Sequence, residues 1–134
     1  MEAHVDTHEE TLMGFVRFLA RCLFAEIFLV AGYDTLTNPG ARVDVVARTL
    51  PLPQPHLMVR INGGAMLAGG TALALGVKPR LAALGLAASL VPTTYSGHQF
   101  WNQNDPVGRR TQLVHFNKNV SMIGGLMTYA LSRD

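Results

Sequence analysis

Four runs of mostly apolar residues dominate the chain, and polar or proline-containing segments separate them. The runs cover residues 12–33, 57–77, 81–101 and 113–131. A helix that crosses the hydrocarbon core of a bilayer needs about 20 mostly apolar residues, and each run comes close to that length. The pattern therefore predicts an all-α integral membrane protein, a four-helix bundle formed by one transmembrane domain over residues 12–131.

The segment before the first run, residues 1–11, contains four acidic residues and no lysine or arginine. A cleaved signal peptide instead begins with a positively charged region. We therefore expect residues 1–11 to form an acidic N-terminal tail. We interpret the first apolar run as a helix of the mature protein.

The segments between the runs differ in length. The sequence Lys78-Pro79-Arg80 is short and breaks a helix, so runs two and three are expected to form an antiparallel hairpin. Between runs one and two, residues 41–50 have apolar side chains at helical spacing and charged side chains on the other face. This predicts a short amphipathic interfacial helix on the bilayer surface. A helix that caps the end of the bundle explains the same pattern equally well.

Composition narrows the class of protein further. Hydrophobic residues make up 49% of the chain and charged residues 15%, against roughly 25% charged in a typical soluble domain. The lysines and arginines form no block, which argues against a nucleic-acid partner. Cys22 is the only cysteine, so the chain has no internal disulfide and no cysteine pair for thiol oxidation. The lipid bilayer is the expected partner.

Ionisable and amide side chains inside the apolar runs are the candidate functional residues. Such groups are costly at membrane depth and usually face the interior of the bundle or a wet cavity. We expect a polar, ligand-binding pocket formed by Glu26, Arg60, Asn62, His115, Lys118 and Asn119. A Glu26–Arg60 ion pair is one arrangement of this pocket. The alternative is a buried network without a ligand that only holds the helices in register.

The segment between runs three and four has interfacial character. Phe100 and Trp101 suit the aromatic belt at the lipid headgroups, with His98 beside them. His98 and His115 are expected at similar depth on neighbouring helices. A metal needs three or four converging ligands, and no histidine spacing typical of a metal or haem site occurs. We therefore expect no metal and no haem, and no motif assigns a catalytic residue.

Several segments of this sequence resemble the DoxX family of four-span bacterial membrane proteins. They are Arg17 to Pro39, the stretch Arg60-Ile-Asn-Gly-Gly, the sequence FWNQNDP at 100–106, and QLVHFNKN at 112–119 ahead of Gly124-Gly125. The resemblance covers about Phe15 to Leu131. Many members have a lysine shortly after the glycine that ends the first span, and this chain has Gly32-Tyr33-Asp34 there instead. The resemblance implies a multi-pass protein of the bacterial plasma membrane.

The resemblance also implies an association with membrane redox complexes. We therefore expect a small subunit that contacts a quinone or an electron-transfer partner, with no intrinsic cofactor. His115 or Lys118 would donate to a quinone carbonyl, and Glu26 would hold a proton. One alternative is a non-catalytic accessory or assembly subunit of a larger respiratory complex, which docks other membrane subunits or further copies of itself. Another is a transporter of small molecules or lipids.

Overall fold

The computed structural model describes residues 2–133 of the chain, and side chains from residue 6 onward. This part of the chain is all-α, as the sequence predicts. Its elements are α1 (Glu2–Thr37), α2 (Ala41–Thr49), α3 (Pro55–Leu75), α4 (Pro79–Gly97), a 3₁₀ turn (Phe100–Asn102) and α5 (Pro106–Leu131). Helices α1, α3, α4 and α5 correspond to the four apolar runs, and α2 to the predicted short helix.

Residue types at the helix ends explain where the helices begin and stop. Proline occupies the first helical position of α3, α4 and α5, where its missing N–H removes no intrahelical hydrogen bond. The carboxylate of Asp105 accepts a hydrogen bond from the Gly108 N–H at 2.6 Å and caps α5. At the other end of α3, Gly76 adopts φ +71° as the left-handed cap.

The structure changes two expectations about the predicted segments. Residues 2–11, expected as a separate tail, are the first turns of α1. The third run ends as a helix at Gly97, because the chain turns at His98 before the separate 3₁₀ turn.

Within residues 2–133, none of the helices is both long enough and apolar enough to cross a membrane. Charged side chains interrupt the apolar stretches, among them Arg17, Arg21 and Glu26 in α1 and Arg60 in α3. The predicted runs at 12–33, 57–77, 81–101 and 113–131 are therefore borne out as helices, whereas their crossing of a membrane is not.

Glycines bring α1 and α3 together at backbone contact. A Cβ atom on Gly32 would lie 2.7 Å from the Leu67 nitrogen and 2.8 Å from the Gly63 oxygen. A Cβ on Gly63 would lie 2.7 Å from the Leu36 nitrogen. Further along, Gly70 faces Phe28.

The core of the protein receives side chains from four helices. Phe28 of α1, Leu73 of α3, Leu86 of α4 and Leu126 of α5 are its fully buried large residues. They belong to one apolar cluster with neighbouring alanines and Met66. The helices therefore form one bundle, in which α3 packs between α1 and α4, and α5 packs on α4.

Helix α2 closes one end of this bundle by packing on α3 and α4. An ion pair between Arg42 and Asp34, at 2.6 Å, ties its first turn to the end of α1. Both side chains are about half exposed, so the pair contributes less than about 1 kcal/mol. Of the two interpretations that the sequence allowed for residues 41–50, the capping helix matches this position.

The first half of α1 extends beyond the bundle. Arg21 lies against Gly76, the end of α3, and every residue from Asp6 to Ala20 is exposed. The accessible surface of the chain is 8964 Å², whereas a compact monomer of this mass exposes about 6,900 Å². A large part of the apolar surface of this chain is therefore uncovered.

Candidate site at the capped end of the bundle

Polar side chains of α3 and α4 meet near the capped end. The side-chain amide of Asn62 donates a hydrogen bond of 3.0 Å to the Thr93 hydroxyl. That hydroxyl donates in turn to the Ser89 carbonyl at 2.9 Å. Asn62 was predicted from sequence as a site residue, and this chain of hydrogen bonds fixes the position of its amide.

Two further polar groups are buried between α4 and α5. The hydroxyl of Thr94 is buried and has no hydrogen-bond partner among residues 2–133. Asn119, 5% exposed, forms no side-chain hydrogen bond to any other part of the chain that the structure describes. A buried polar group without a partner costs about 1–3 kcal/mol. The Thr94 hydroxyl is such a group and is therefore suited to receive a hydrogen-bonding partner from outside the chain, whereas no side-chain atom of Asn119 is both fully buried and unpaired.

A histidine pair lies one helical turn from these two groups. The rings of His98 and His115 stack with centroids 5.3 Å apart and an angle of 23° between their planes. Thr94 precedes His98 by four residues and Asn119 follows His115 by four, so in antiparallel helices both lie one turn from the pair on the same faces. This contact places His98, the residue that follows α4, beside His115 of α5, as the sequence predicted.

The amide of Gln112 orients the histidine pair. Its Oε1 atom lies 2.9 Å from Nδ1 of His98. Because an amide oxygen only accepts hydrogen bonds, this assignment places a proton on Nδ1 of His98. The Nε2 atom of His98 and both nitrogens of His115 form no hydrogen bond within the described chain.

An aromatic cluster lies beside the histidines and holds the 3₁₀ turn on α5. Phe100 contacts Phe116 edge-on at 5.3 Å between centroids, and Trp101 lies 6.0 Å from the same ring. Tyr95 of α4 lies 5.9 Å from Trp101. The predicted interfacial residues Phe100 and Trp101 therefore pack around Phe116, the residue after His115.

A surface groove of about 480 Å³ borders the pair at His115. Its lining is mostly apolar and includes Pro106, Val107 and Val114, with Arg110 and Thr111 as polar members. A concave apolar surface with a few polar groups is typical of small-molecule sites.

The structure brings together only part of the predicted pocket. Asn62, His115 and Asn119 lie near the capped end and are at least partly buried, whereas Glu26, Arg60 and Lys118 are exposed. The register of α1 on α3 sets Glu26 beside the segment between Gly70 and Gly76. It is therefore at least about 15 Å from Arg60 along the helix axis. These two residues do not pair, and the expectation that the charged groups face one another inside the bundle is wrong.

Thr93, Thr94 and Gln112 complete the polar region, and the prediction did not include them as site residues. The sequence signal for the threonines is a pair of hydroxyl side chains directly after Pro92 in an apolar helix. Within the described residues, no group of three or more histidine, cysteine, aspartate or glutamate side chains is placed to hold a metal ion.

The fold and the site define an all-helical protein with a polar region between three helices at one end of its bundle. A model of the DoxX family matches residues 16–99, more than half of the chain, and the chain therefore belongs to the DoxX family. The match ends before α5, so Gln112, His115 and Asn119 lie outside it. No curated protein and no solved structure matches this chain significantly.

Proposed function

We propose that this DoxX protein is a small, multi-pass subunit of a redox complex in the bacterial plasma membrane and that it binds a quinone at the capped end of its bundle. Family membership supports the membrane location. The many exposed large apolar side chains support it as well, among them Leu23, Val30, Leu81 and Leu131 at 62% exposure or more. Exposed apolar surface of this extent marks contact with lipid or with other subunits.

One observation carries the quinone proposal: the Thr94 hydroxyl is buried without a hydrogen-bond partner among the described residues, one turn from a histidine pair. Hydroxyl, amide and imidazole N–H groups all donate hydrogen bonds to a carbonyl oxygen. The apolar groove next to His115 suits a planar ring and the start of an isoprenoid tail. Lys118 lies three residues after His115 on α5, is exposed, and would be a further donor.

In this proposal the chain binds and orients the quinone, and a partner subunit supplies the electrons. A bound quinone supplies two-electron, two-proton chemistry, and the residues of this chain fix its carbonyl oxygens. Glu26 and Arg60 lie outside the proposed pocket, since both are exposed and Glu26 is near the opposite end of the bundle.

The test measures quinone binding to the full chain in lipid nanodiscs. Trp101 is the only tryptophan and lies 6.0 Å from Phe116, so its quenching by a short-chain benzoquinone or naphthoquinone reports binding. We expect saturable quenching, and a Kd raised about 10-fold by His115→Ala through loss of one hydrogen bond and its packing. Ser121→Ala, an exposed position on the same helix, is the matched control. Linear, unsaturable quenching that both variants share would contradict the proposal.

A second candidate function is that of a non-catalytic assembly subunit. Gly85, Gly97 and Gly124 have no neighbouring atom within 4 Å of an added Cβ, so three glycine positions on α4 and α5 are open on the outside of the bundle. Open glycines let another helix approach closely. Replacing Gly124 by Leu would then abolish co-purification of partner subunits and leave quinone quenching unchanged.

A further inference from the structure

One face of α1 carries a seven-residue repeat that no helix of the described chain covers. Its positions alternate at spacings of four and three residues, and all of them are exposed: Leu12, Val16, Leu19, Leu23, Glu26, Val30 and Tyr33. We call this face the α1 seam. A repeat of this kind is the pattern by which two helices pack as a left-handed coiled coil.

The seam lies on the side of α1 that points away from α3. The α3-facing residues of α1 include Ala25, Phe28 and Gly32, which are buried. At 100° per residue, this stripe lies roughly opposite the seam on the helix surface. A second helix can therefore lie along the seam without displacing any contact of the bundle.

We propose that the α1 seam pairs with the seam of a second copy of this chain, in parallel, about a two-fold axis that runs along the two helices. Such an axis brings each seam residue next to the same residue of the other copy. All members except Glu26 are apolar or aromatic, so the surface is complementary to itself over its full length. The projecting first half of α1, in which every residue from Asp6 to Ala20 is exposed, would be covered as well.

The area of this surface suits a stable dimer. The seam residues expose large fractions of their surface, 68% for Leu23 and 62% for Val30 and Tyr33. Burial of a large apolar side chain removes about 100 Å² from solvent. The apolar seam residues together with the flanking Phe15 then give about 700 Å² per copy, within the range of a standard stable interface.

Glu26 is the polar member of the seam and gives the pair a fixed register. One polar residue at a core position of a coiled coil selects the alignment in which it meets its counterpart. In the parallel pair, the Glu26 side chains of the two copies lie side by side. This arrangement gives Glu26, exposed among apolar neighbours in the single chain, a partner. The inference does not depend on the proposed quinone site.

Disulfide cross-linking in membranes of expressing cells tests the dimer. With Cys22→Ser as background, single cysteines replace Leu19, Leu23 or Val30 in the seam, and Phe18→Cys is the control. Phe18 is as exposed as Leu19, at 47% against 44%, but lies off the seam. After oxidation with copper phenanthroline, we expect a homodimer band for most of the protein at the seam positions. We expect less than a tenth of that yield at Phe18.

Two charge variants at Glu26 test the register in the Leu23→Cys background. Glu26→Gln keeps a hydrogen-bonding group and should leave the cross-linking yield unchanged. Glu26→Arg places two cations face to face and should lower it at least 5-fold. Equal yields at Phe18 and at the seam positions, or an equal yield for the two Glu26 variants, would overturn the proposal. So would cross-links only to other proteins. Quenching of Trp101 fluorescence by a quinone is measured on the same preparations. Failure of the dimer proposal and failure of the proposed quinone site can then be distinguished.

Discussion

Gly32 and Gly63 hold α1 and α3 at backbone contact: a Cβ on Gly32 would come within 2.8 Å of the Gly63 carbonyl oxygen. The atoms in the way belong to the backbone and cannot rotate aside. The distance between the two helices therefore depends on the absence of a side chain at these two positions.

Gly32→Ala and Gly63→Ala are therefore each expected to lower the free energy of unfolding by about 1–3 kcal/mol, because the helices must separate to admit the methyl group. Gly124→Ala is the matched control, since an added Cβ there meets nothing within 4 Å. The control should gain about 0.5–1 kcal/mol from helix propensity. Denaturant unfolding of the detergent-solubilised protein measures all three, and equal effects would show that backbone contact does not limit the packing.

Asp105 caps the helix that carries Gln112, His115 and Asn119. Its carboxylate accepts the Gly108 N–H at 2.6 Å, so Asp105→Ala should cost about 1 kcal/mol and increase hydrogen exchange in the first turn of α5. Asp105→Asn retains a capping oxygen and should behave almost as the parent. Exchange rates that rise equally in both variants would mean that the cap does not hold this helix end.

Gly76 ends α3 in the left-handed region, with the guanidinium of Arg21 against it. Alanine at this position is strained at φ +71° and would lie 3.2 Å from Nη2 of Arg21. We expect Gly76→Ala to cost about 1–2 kcal/mol through the backbone strain. Because the end of an arginine side chain can move aside, the cost should persist in an Arg21→Ala background. A double-mutant cycle compares the loss of unfolding free energy caused by Gly76→Ala with and without Arg21. If that loss disappears in the Arg21→Ala background, it comes from the contact with Arg21 and not from backbone strain.

The elements that could be predicted from the sequence are those that local chemistry sets. Proline at the first helical turn and the Asp105 cap need no knowledge of neighbouring helices. The apolar runs likewise identified the four long helices. Where a helix begins is therefore largely encoded within a few residues of that point.

The rotation of each helix could not be predicted in the same way. Glu26 was expected inside because burial of a charge among lipids is costly, but α1 turns Ala25, Phe28 and Gly32 toward α3 and leaves Glu26 on the other side. The close fit of Gly32 on Gly63 decides that rotation, and it depends on two segments far apart in sequence. The positions of polar residues alone do not show which face of a helix packs against another helix.

Thr93 and Thr94 are adjacent in sequence but differ in hydrogen bonding, so valine should affect them in opposite directions. Thr93 accepts from Asn62 at 3.0 Å, and Thr93→Val should cost about 1 kcal/mol because it leaves the amide of Asn62 without that partner. Thr94 has a buried hydroxyl without a partner. Thr94→Val should therefore leave stability unchanged or raise it by about 1 kcal/mol, since an unsatisfied group is replaced by a methyl group of similar volume.

The same pair of variants separates stability from ligand binding. If the Thr94 hydroxyl serves a ligand carbonyl, Thr94→Val should weaken quinone binding about 5-fold even though the protein is at least as stable as the parent. Thermal unfolding without quinone and Trp101 quenching with quinone measure the two effects on one preparation. A Thr94→Val protein that loses stability as Thr93→Val does, and binds quinone as the parent does, would mean that the hydroxyl is satisfied within the bundle.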